Sequence, residues 1–304
     1  MGKFVYNALT AIFGSSLTED IVSFMSLVIS GMSSFFKDGG QATTVLAIFT
    51  GVAGSLMTIY LFMDIMDKAS KDMVTLERLI LIFVKYLFGM IILVYLPEII
   101  NYLFKLAKGI YDVVGNENVL NLSVSGAKIK YFGSDKWPDY STVSDIFEKK
   151  SVFGKGVKSI TNNLGLLFTL MLTYLLSFGA RFAAFFIAIS NAVTLITRTI
   201  FAPLGVVQCF DEGQRSAGIR YLKKFAAEAL TFAVIVGILF AAGQLQNAVL
   251  AGILKPYGGE LTTDNVQEIL GSFKMMGSII VIQLASLGGM MKAGQLANDI
   301  VGTH

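Results

Sequence analysis

The chain has 304 residues, of which 54% are hydrophobic and 15% charged, and its formal net charge is +3. Soluble domains carry charge at nearer a quarter of their positions, so this composition excludes an ordinary soluble domain and indicates a polytopic membrane protein. One Cys and one His exclude disulfide frameworks, Cys/His metal clusters and His-based triads. We therefore predict an all-α transmembrane protein that is not an enzyme and uses no cofactor or metal.

Residues 1–38 precede the long uncharged runs and are predicted to form amphipathic or interfacial helices. Thr18-Glu19-Asp20 is typical of a helix start, because Thr can cap the helix and acids suit its first turn. We expect a helix that packs on a bundle or lies at the interface, not a full span. Its apolar residues recur at helical spacing: Ile21, Phe24, Met25, Val28, Ile29, Met32 and Phe36.

Residues 39–96 are predicted to form two transmembrane helices, Thr43 to Met63 and Leu79 to Pro97. Pro97 with Glu98 marks a kink or the point where the chain leaves the apolar phase. Lys85 lies about six residues inside the second span, where it is either a snorkelling interface lysine or part of a polar path.

Residues 97–158 are predicted to form an extracellular loop module. Ile99 to Tyr111 has helical spacing, whereas Val119 to Val124 and Lys128 to Tyr131 alternate like short strands, and Trp137 to Tyr140 is a turn. The module either caps the external face or contacts a partner or substrate.

Residues 159–304 are predicted to form a C-terminal transmembrane bundle. It begins with Ser159 to Phe210, 52 residues that contain only two charges. A straight helix of that length would reach about 78 Å, far beyond a hydrocarbon core of about 30 Å. The segment is therefore one bent or tilted crossing, or a hairpin that turns at Gly179-Ala-Arg181. Ala229 to Leu254 and Met275 to Met291 are further crossings.

Loop charges set the orientation, because short cytoplasmic loops are rich in Lys and Arg. The nearly neutral loop 255–274 should face out, and a single crossing by the long segment then gives about five spans with the N-terminus outside and the C-terminus cytoplasmic. A hairpin would give six spans and place the basic loop 211–224 outside. The loops predicted inside are 64–78, with Lys68, Lys71 and Arg78, and 211–224, with Arg215, Arg220, Lys223 and Lys224.

Charges inside the apolar segments are the main candidates for a functional site. Arg181 and Arg198 are 17 residues apart, which at about 100° per residue places them on different helix faces, so we expect different partners. Each is held in a structural ion pair or faces water or a lipid headgroup. Asn191 and Pro203 complete the intramembrane candidates. The acids available as partners are Asp64, Glu98, Asp211 and Glu228.

Small residues recur every four positions in four segments, and in lipid such stripes let helices approach closely. The stripes pack helices together either within one chain or between the chains of a homo-oligomer. The basic loop 211–224 binds lipids or docks a cytoplasmic motor. The stripes are Ala47, Gly51 and Ser55; Ala180, Ala184, Ala188 and Ala192; Ala229, Ala233, Gly237 and Ala241; Ala285, Gly289, Ala293 and Ala297.

One pattern resembles a known family: Arg198, then Ala202-Pro203-Leu204, a loop with Gly213, Gly218 and Lys223-Lys224, and the alanine-rich Phe225 to Ala242. This order is similar to the TrbL-type subunit of type IV secretion and conjugation systems, especially forms from Gram-positive mobile elements. The resemblance covers roughly residues 159–299.

The resemblance implies a channel or scaffold subunit of the cytoplasmic membrane that forms a ring. Its partners would be secretion ATPases and a coupling protein, and its substrate would be single-stranded DNA bound to a relaxase. A secondary transporter of a small solute is the alternative, although no internal repeat supports it. A membrane-embedded enzyme using Asp64, Asp67 and Asp72 is a third class, but solvated loop acids explain these residues.

Overall fold

The computed structural model describes residues 6–10, 16–37, 40–70, 75–115, 129–135, 137–142, 164–207, 217–262 and 264–303. Almost all of this described part is helical. The main elements in chain order are α1 (Ser16–Phe36), α2 (Gln41–Ser70), α3 (Leu76–Val94), α4 (Leu96–Val114), β1 (Lys130–Tyr131), α5 (Leu164–Val207), α6 (Ala217–Leu254), a 3-10 turn (Lys255–Tyr257), β2 (Glu260–Leu261), α7 (Val266–Gly271), α8 (Phe273–Met291) and α9 (Ala293–Val301).

Four of these helices are long and apolar enough to cross a membrane, namely α2, α5, α6 and α8. A fifth candidate is the pair formed by α3 and α4, which are bent by 57° at their junction. The membrane character expected from composition is therefore confirmed at the level of helix length and apolarity.

The predicted second span ends earlier than expected. Thr75 caps α3 by accepting a hydrogen bond from the amide of Arg78 at 3.4 Å, and α3 ends at Val94. A new helix, α4, starts at Leu96 with Pro97 in its first turn, where a missing N–H costs nothing. The helix predicted from Ile99 to Tyr111 lies within α4 and is confirmed.

The long uncharged segment forms one helix. α5 spans 44 residues, or about 66 Å at 1.5 Å per residue, and continues through Gly179-Ala-Arg181. The hairpin alternative at those residues is therefore wrong. Pro203 lies inside α5, four residues before its end, and is buried.

The chain divides into two compact units. The first comprises Met1–Phe24, Val114–Ile187 and Ile235–Lys292. The second comprises Met25–Val113, Ala188–Val234 and Ala293–His304.

In the first unit, the two short strands pair in parallel, with Tyr131 opposite Leu261. Tyr131 is 7% exposed, and burial raises its pKa to about 12, so its phenol stays neutral at physiological pH. The strand predicted at Lys128 to Tyr131 is thus confirmed in part, whereas Val119 to Val124 lies outside the described residues. The surrounding core consists of Ala8, Leu9, Leu250, Leu254, Leu261, Val266, Ile269, Met275, Met276 and Ile279.

The N-terminal residues of the first unit are held by the turn that follows β1. The indole of Trp137 donates to Thr10 Oγ1 at 3.0 Å, and the hydroxyl of Tyr6 donates to the carbonyl of Pro138 at 3.1 Å. The ring of Trp137 packs edge-on against Tyr131, with 5.5 Å between centroids. Helical residues 6–10 are therefore fastened to the module predicted to be extracellular.

Helix α1 runs alongside α5 in the same direction within the first unit. The rings of Phe24 and Phe185 lie 4.2 Å apart, and Asp20 pairs with Arg181 one turn earlier on both helices. The predicted apolar face of α1 is confirmed, since Ile21 and Met25 are completely buried. The bundle-packing alternative for this helix is thus the one observed.

In the second unit, α2 and α3 form an antiparallel hairpin. Met57 packs on Gly89, and the hydroxyls of Thr58 and Tyr86 lie 3.1 Å apart. Much of the remaining hairpin surface is apolar and exposed, as at Phe62 (61%). Such a surface is suited to lipid or to another protein.

Aromatic contacts in the second unit correct the predicted course of the first span. The ring of Phe36 lies 6.2 Å from Phe225, and Phe49 lies 5.5 Å from Phe201. Phe201 and Phe225 flank the loop 211–224, which was predicted inside, whereas Phe49 was predicted near the outer surface. Rings in contact lie at one depth. If α5 ends inside, Phe49 therefore lies near the inner surface, and Thr43 to Met63 does not carry the chain from outside to inside.

Close packing of α6 against α8 in the first unit gives a testable expectation. A Cβ on Gly289 would lie 3.0 Å from Ile238 Cγ2, whereas a Cβ on Gly288 would meet nothing within 4 Å. We expect Gly289→Leu to destabilise the protein by about 1–3 kcal/mol through overpacking. Gly288→Leu is the matched control and should leave the thermal unfolding temperature in detergent unchanged or slightly higher. Equal shifts in the two variants would contradict this packing.

Candidate functional site: an ion-pair cluster between two apolar helices

Arg198 on α5 and Glu228 on α6 form an ion pair within the second unit. The Nε of Arg198 lies 2.6 Å from Oε1 of Glu228, and the two side chains are 29% and 18% exposed. The pair joins adjacent antiparallel helices across the loop 211–224. Of the acids proposed from sequence, Glu228 is the one that neutralises Arg198.

Neighbouring groups fix this pair in position. Asn191 donates from Nδ2 to the main-chain carbonyl of Glu228 at 2.7 Å. The hydroxyl of Tyr221 donates to the carbonyl of Arg198, and the guanidinium lies 5.8 Å from the centre of the Tyr221 ring. The end of α5 is thus tied to the start of α6 by charge, hydrogen bonds and an aromatic ring.

Close approach at Gly205 allows this arrangement. A Cβ at this position would lie 2.6 Å from Cδ2 of Tyr221, so any other residue would displace the ring. The glycine of the Ala202-Pro203-Leu204-Gly205 sequence therefore has a packing role that its sequence context did not reveal.

The cluster is suited to holding helices together. A charge in an apolar segment is expensive unless it is paired and hydrogen-bonded. Here the arginine and the carboxylate are paired, while the buried Oε2 of Glu228 has no hydrogen-bond partner among the described residues. Neither Arg198 nor Glu228 is left as a lone charge for a solute to neutralise.

Arg181 has a different partner, as expected from its helix face. Its Nη1 lies 3.1 Å from Oδ2 of Asp20 on α1, with side-chain exposures of 32% and 52%. Asp20 was not among the acids proposed as neutralisers, so that part of the prediction was wrong. Asp20 belongs to the helix-start motif with Thr18, where its negative charge was explained by the helix dipole alone.

A second polar contact joins α5 to α8 in the first unit. Gln283, 3% exposed, donates from Nε2 to the hydroxyl of Ser177 at 2.8 Å. Ser177 lies one turn before Arg181 and was missed by sequence reasoning, because a lone serine in an apolar run gives no signal. This hydrogen bond fixes which face of α8 meets α5.

Lys85 is half-buried on α3, and within the described part of the chain it forms no ion pair. Both sequence interpretations of this lysine therefore stand.

The basic loop is described only from Ala217 onward, so Arg215 and Asp211 lie outside the described residues. Arg220, Lys223 and Lys224 are exposed and follow one another at helical spacing on the first turns of α6. Lys223 also donates to the carbonyl of Gly302 at 3.3 Å, which ties the end of α9 to α6 within the second unit. Arg220, Lys223 and Lys224 are called the basic face below.

The four stripes of small residues have different environments. Those on α5 are buried throughout, from Ala180 to Ala192, and serve packing within the chain. On α2 the whole stripe, Ala47, Gly51 and Ser55, is exposed. On the other two stripes, Ala229, Ala233, Ala293 and Ala297 are buried, Gly237 and Gly289 are half-buried, and Ala241 and Ala285 are exposed.

Within the described ranges, no three His, Cys, Asp or Glu residues lie close enough together to hold a metal ion. Comparison with protein families, with characterised proteins and with solved structures finds no match.

Proposed function

We propose that this chain is a non-enzymatic integral membrane subunit, a scaffold or channel component, of a conjugative type IV secretion apparatus in the cytoplasmic membrane. The observation that carries the proposal is the pairing of Arg198 with Glu228, with Arg181 similarly paired to Asp20. Charges in the apolar segments hold helices together, as a framework requires. The TrbL-type resemblance, which includes Arg198 and Pro203, supplies the class of apparatus.

The proposed topology keeps the N-terminus outside and the C-terminus inside but changes the first crossing. α1 crosses beside α5, the α2–α3 hairpin enters from the cytoplasmic side, and α4 returns the chain outward. This path brings Phe49 beside Phe201 and places loop 64–78, the tip of the hairpin, away from the cytoplasmic surface, against the expectation from its charges. It is also supported by the β1–β2 pairing, which joins two segments predicted outside.

Partners follow from the exposed surfaces. The small-residue stripe on α2, with Gly51 at its centre, suits close approach by another helix, which supports a homo-oligomer. The basic face of α6 suits an acidic surface on a secretion ATPase or coupling protein, or anionic lipid. Single-stranded DNA with a bound relaxase is the proposed substrate of the assembled apparatus.

One observation favours the second candidate, a secondary transporter. Broken helices line substrate sites in many transporters, and the 57° bend between α3 and α4 adjoins a cavity of about 250 Å³. Saturable uptake of a small solute by the purified chain in liposomes would favour this candidate over the first. The cavity is lined by Phe36, Ala42, Thr43, Leu46, Pro97, Glu98, Ile100 and Asn101.

Neutralising the basic face tests the proposed function. The double variant Arg220→Gln with Lys224→Gln removes two exposed charges and leaves Lys223, which binds Gly302. At about 1 kcal/mol per charge, docking should weaken about 30-fold, and we expect conjugative transfer to fall accordingly with membrane insertion intact.

The matched control neutralises Lys255 and Lys274, which are also exposed but flank the loop predicted outside. Transfer at the wild-type frequency in the Arg220/Lys224 variant, or an equal loss in both double variants, would contradict the role of the basic face.

A further inference from the structure

Three phenylalanine rings from different helices form a buried cluster within the second unit. Phe36 is the last residue of α1, Phe104 lies at the middle of α4, and Phe225 lies near the start of α6. The ring of Phe36 stacks on Phe104 at 4.5 Å and lies edge-on to Phe225 at 6.2 Å. None of the three is more than 4% exposed. The end of α1, the middle of α4 and the start of α6 are therefore held at one level.

An exposed lysine is the chain neighbour of each ring in this cluster. Lys37 directly follows the ring on α1, Lys105 directly follows the ring on α4, and Lys224 directly precedes the ring on α6. Within the described part of the chain, neither Lys37 nor Lys105 forms an ion pair. Three helices thus bring three cations to the edge of one apolar cluster. Lys37, Lys105 and Lys224 are called the basic platform below.

Acidic groups on α4 and α6 leave the basic platform positively charged. Asp112 pairs with Lys108 at 3.8 Å, and Glu228 pairs with Arg198 at 2.6 Å. Glu98 is exposed and lies two turns before the platform lysine of the same helix. The platform therefore attracts an anion from outside the chain.

The aromatic cluster lies where the apolar stretches of two helices end. The apolar face of α1 runs as far as Phe36, and the uncharged run of α6 begins at Ala229, one turn after Phe225. Lysines at the ends of apolar helices place their ammonium groups among the lipid headgroups. The basic platform is thus expected at the membrane surface, on the side predicted to be cytoplasmic.

Apolar side chains beside Lys105 favour lipid over an acidic protein surface as the source of that anion. Tyr102 is 71% exposed and Leu106 is 65% exposed, and the ring of Tyr102 lies 5.9 Å from the Lys105 Nζ. A phospholipid offers a charged headgroup to the lysine and acyl chains to its apolar neighbours, as amphipathic helices at membrane surfaces require. A hydrated acidic surface would leave both apolar side chains uncovered.

We propose that the basic platform binds the headgroup of an anionic phospholipid of the cytoplasmic leaflet, whose acyl chains cover the exposed apolar side of α4. The inference depends on a membrane location and not on the class of apparatus proposed above. The cytoplasmic leaflet is negatively charged, and each lysine near it adds to the attraction. Because the three lysines come from three helices, the bound lipid also stabilises the arrangement of α1, α4 and α6.

Lipid binding by the purified full-length chain tests the platform. Native mass spectrometry from detergent gives the dissociation constant of phosphatidylglycerol, and phosphatidylcholine with the same acyl chains is the zwitterionic reference. We expect the wild-type chain to bind the anionic lipid at least about tenfold more tightly. In the double variant Lys37→Gln with Lys105→Gln, the dissociation constant of the anionic lipid should rise about 30-fold, the effect of two charges near an anionic surface.

Two further variants separate the platform from general effects of charge. Lys255→Gln with Lys274→Gln removes the same charge from exposed lysines that flank the loop predicted outside, and should bind lipid like the wild type. Lys37→Arg with Lys105→Arg keeps both charges and should retain most of the affinity, because arginine also binds phosphate. An equal loss in the two glutamine variants, an unchanged affinity after loss of Lys37 and Lys105, or equal affinity for the two lipids overturns the proposal.

Thermal unfolding in the same detergent tests whether the lipid holds the helices together. Phosphatidylglycerol should raise the Tm of the wild-type chain and of the Lys255/Lys274 variant more than that of the Lys37/Lys105 glutamine variant. Inorganic phosphate alone should leave every Tm unchanged, and stabilisation by phosphate equal to that by the lipid would overturn the role of the acyl chains. Neither measurement involves DNA transfer, so failure of the proposed function and failure of the lipid site are distinguished.

Discussion

Glu228→Gln should lower the stability of the protein by about 2–3 kcal/mol, less than the roughly 3–5 kcal/mol lost when a fully buried ion pair is broken, because the side chains retain some exposure. The neutral amide keeps the shape of the carboxylate but leaves Arg198 charged without its counter-ion. The measurement is thermal unfolding of the purified chain in detergent, where we expect a fall of about 5 °C in Tm.

A double-mutant cycle separates the pair from general damage. Combining Arg198→Met with Glu228→Leu removes both charges and should recover most of the loss, since a well-packed apolar pair can replace a buried ion pair. Asp64→Asn is the matched control: Asp64 is similarly exposed but pairs with Lys68 within one helix, at 3.1 Å. Its loss should be near 0.5 kcal/mol or less. Additive losses at Arg198 and Glu228 would show that the two side chains are not coupled.

Gly205→Ala should destabilise the protein by about 2 kcal/mol, although alanine is the better helix former by about 1 kcal/mol. The added methyl group would meet the Tyr221 ring at 2.6–2.9 Å. That ring cannot turn away without losing its contacts with Arg198, so one methyl group loosens the whole junction between α5 and α6.

Gly243→Ala is the control for this substitution, because Gly243 lies within α6 and a Cβ there would meet nothing within 4 Å. It should stabilise the protein slightly, by helix propensity alone. Tyr221→Ala in the Gly205→Ala background should abolish the effect of the methyl group. If both glycine variants shift the unfolding temperature in the same direction, the close approach at Gly205 does not exist in the membrane protein.

Local features of the fold could be predicted from sequence, because they depend on neighbouring residues. The buried face of α1 followed from helical spacing at Ile21 and Met25, and the kink near Pro97 followed from proline chemistry. A single long helix was preferred from loop charges, and α5 forms one. Each of these depends on periodicity, on a backbone constraint or on loop composition.

Pairings between distant helices could be predicted only in part. Glu228 was one of several acids near span ends, and only the antiparallel register of α5 and α6 selects it. Asp20 was missed because nothing in sequence shows that α1 runs parallel to α5. The exposed stripe at Gly51 and the buried stripe at Ala184 look alike in sequence, since small residues indicate close approach without naming the partner.

Trp137 is the only tryptophan of the chain, and its indole is bound to Thr10 and packed on Tyr131. Emission from this one ring therefore reports on a single place, the attachment of the N-terminal residues to the turn after β1. Release of that attachment would expose the indole to water and shift its emission to the red. The native protein thus carries its own optical probe of the face predicted to be extracellular, and partner binding there can be followed without a label.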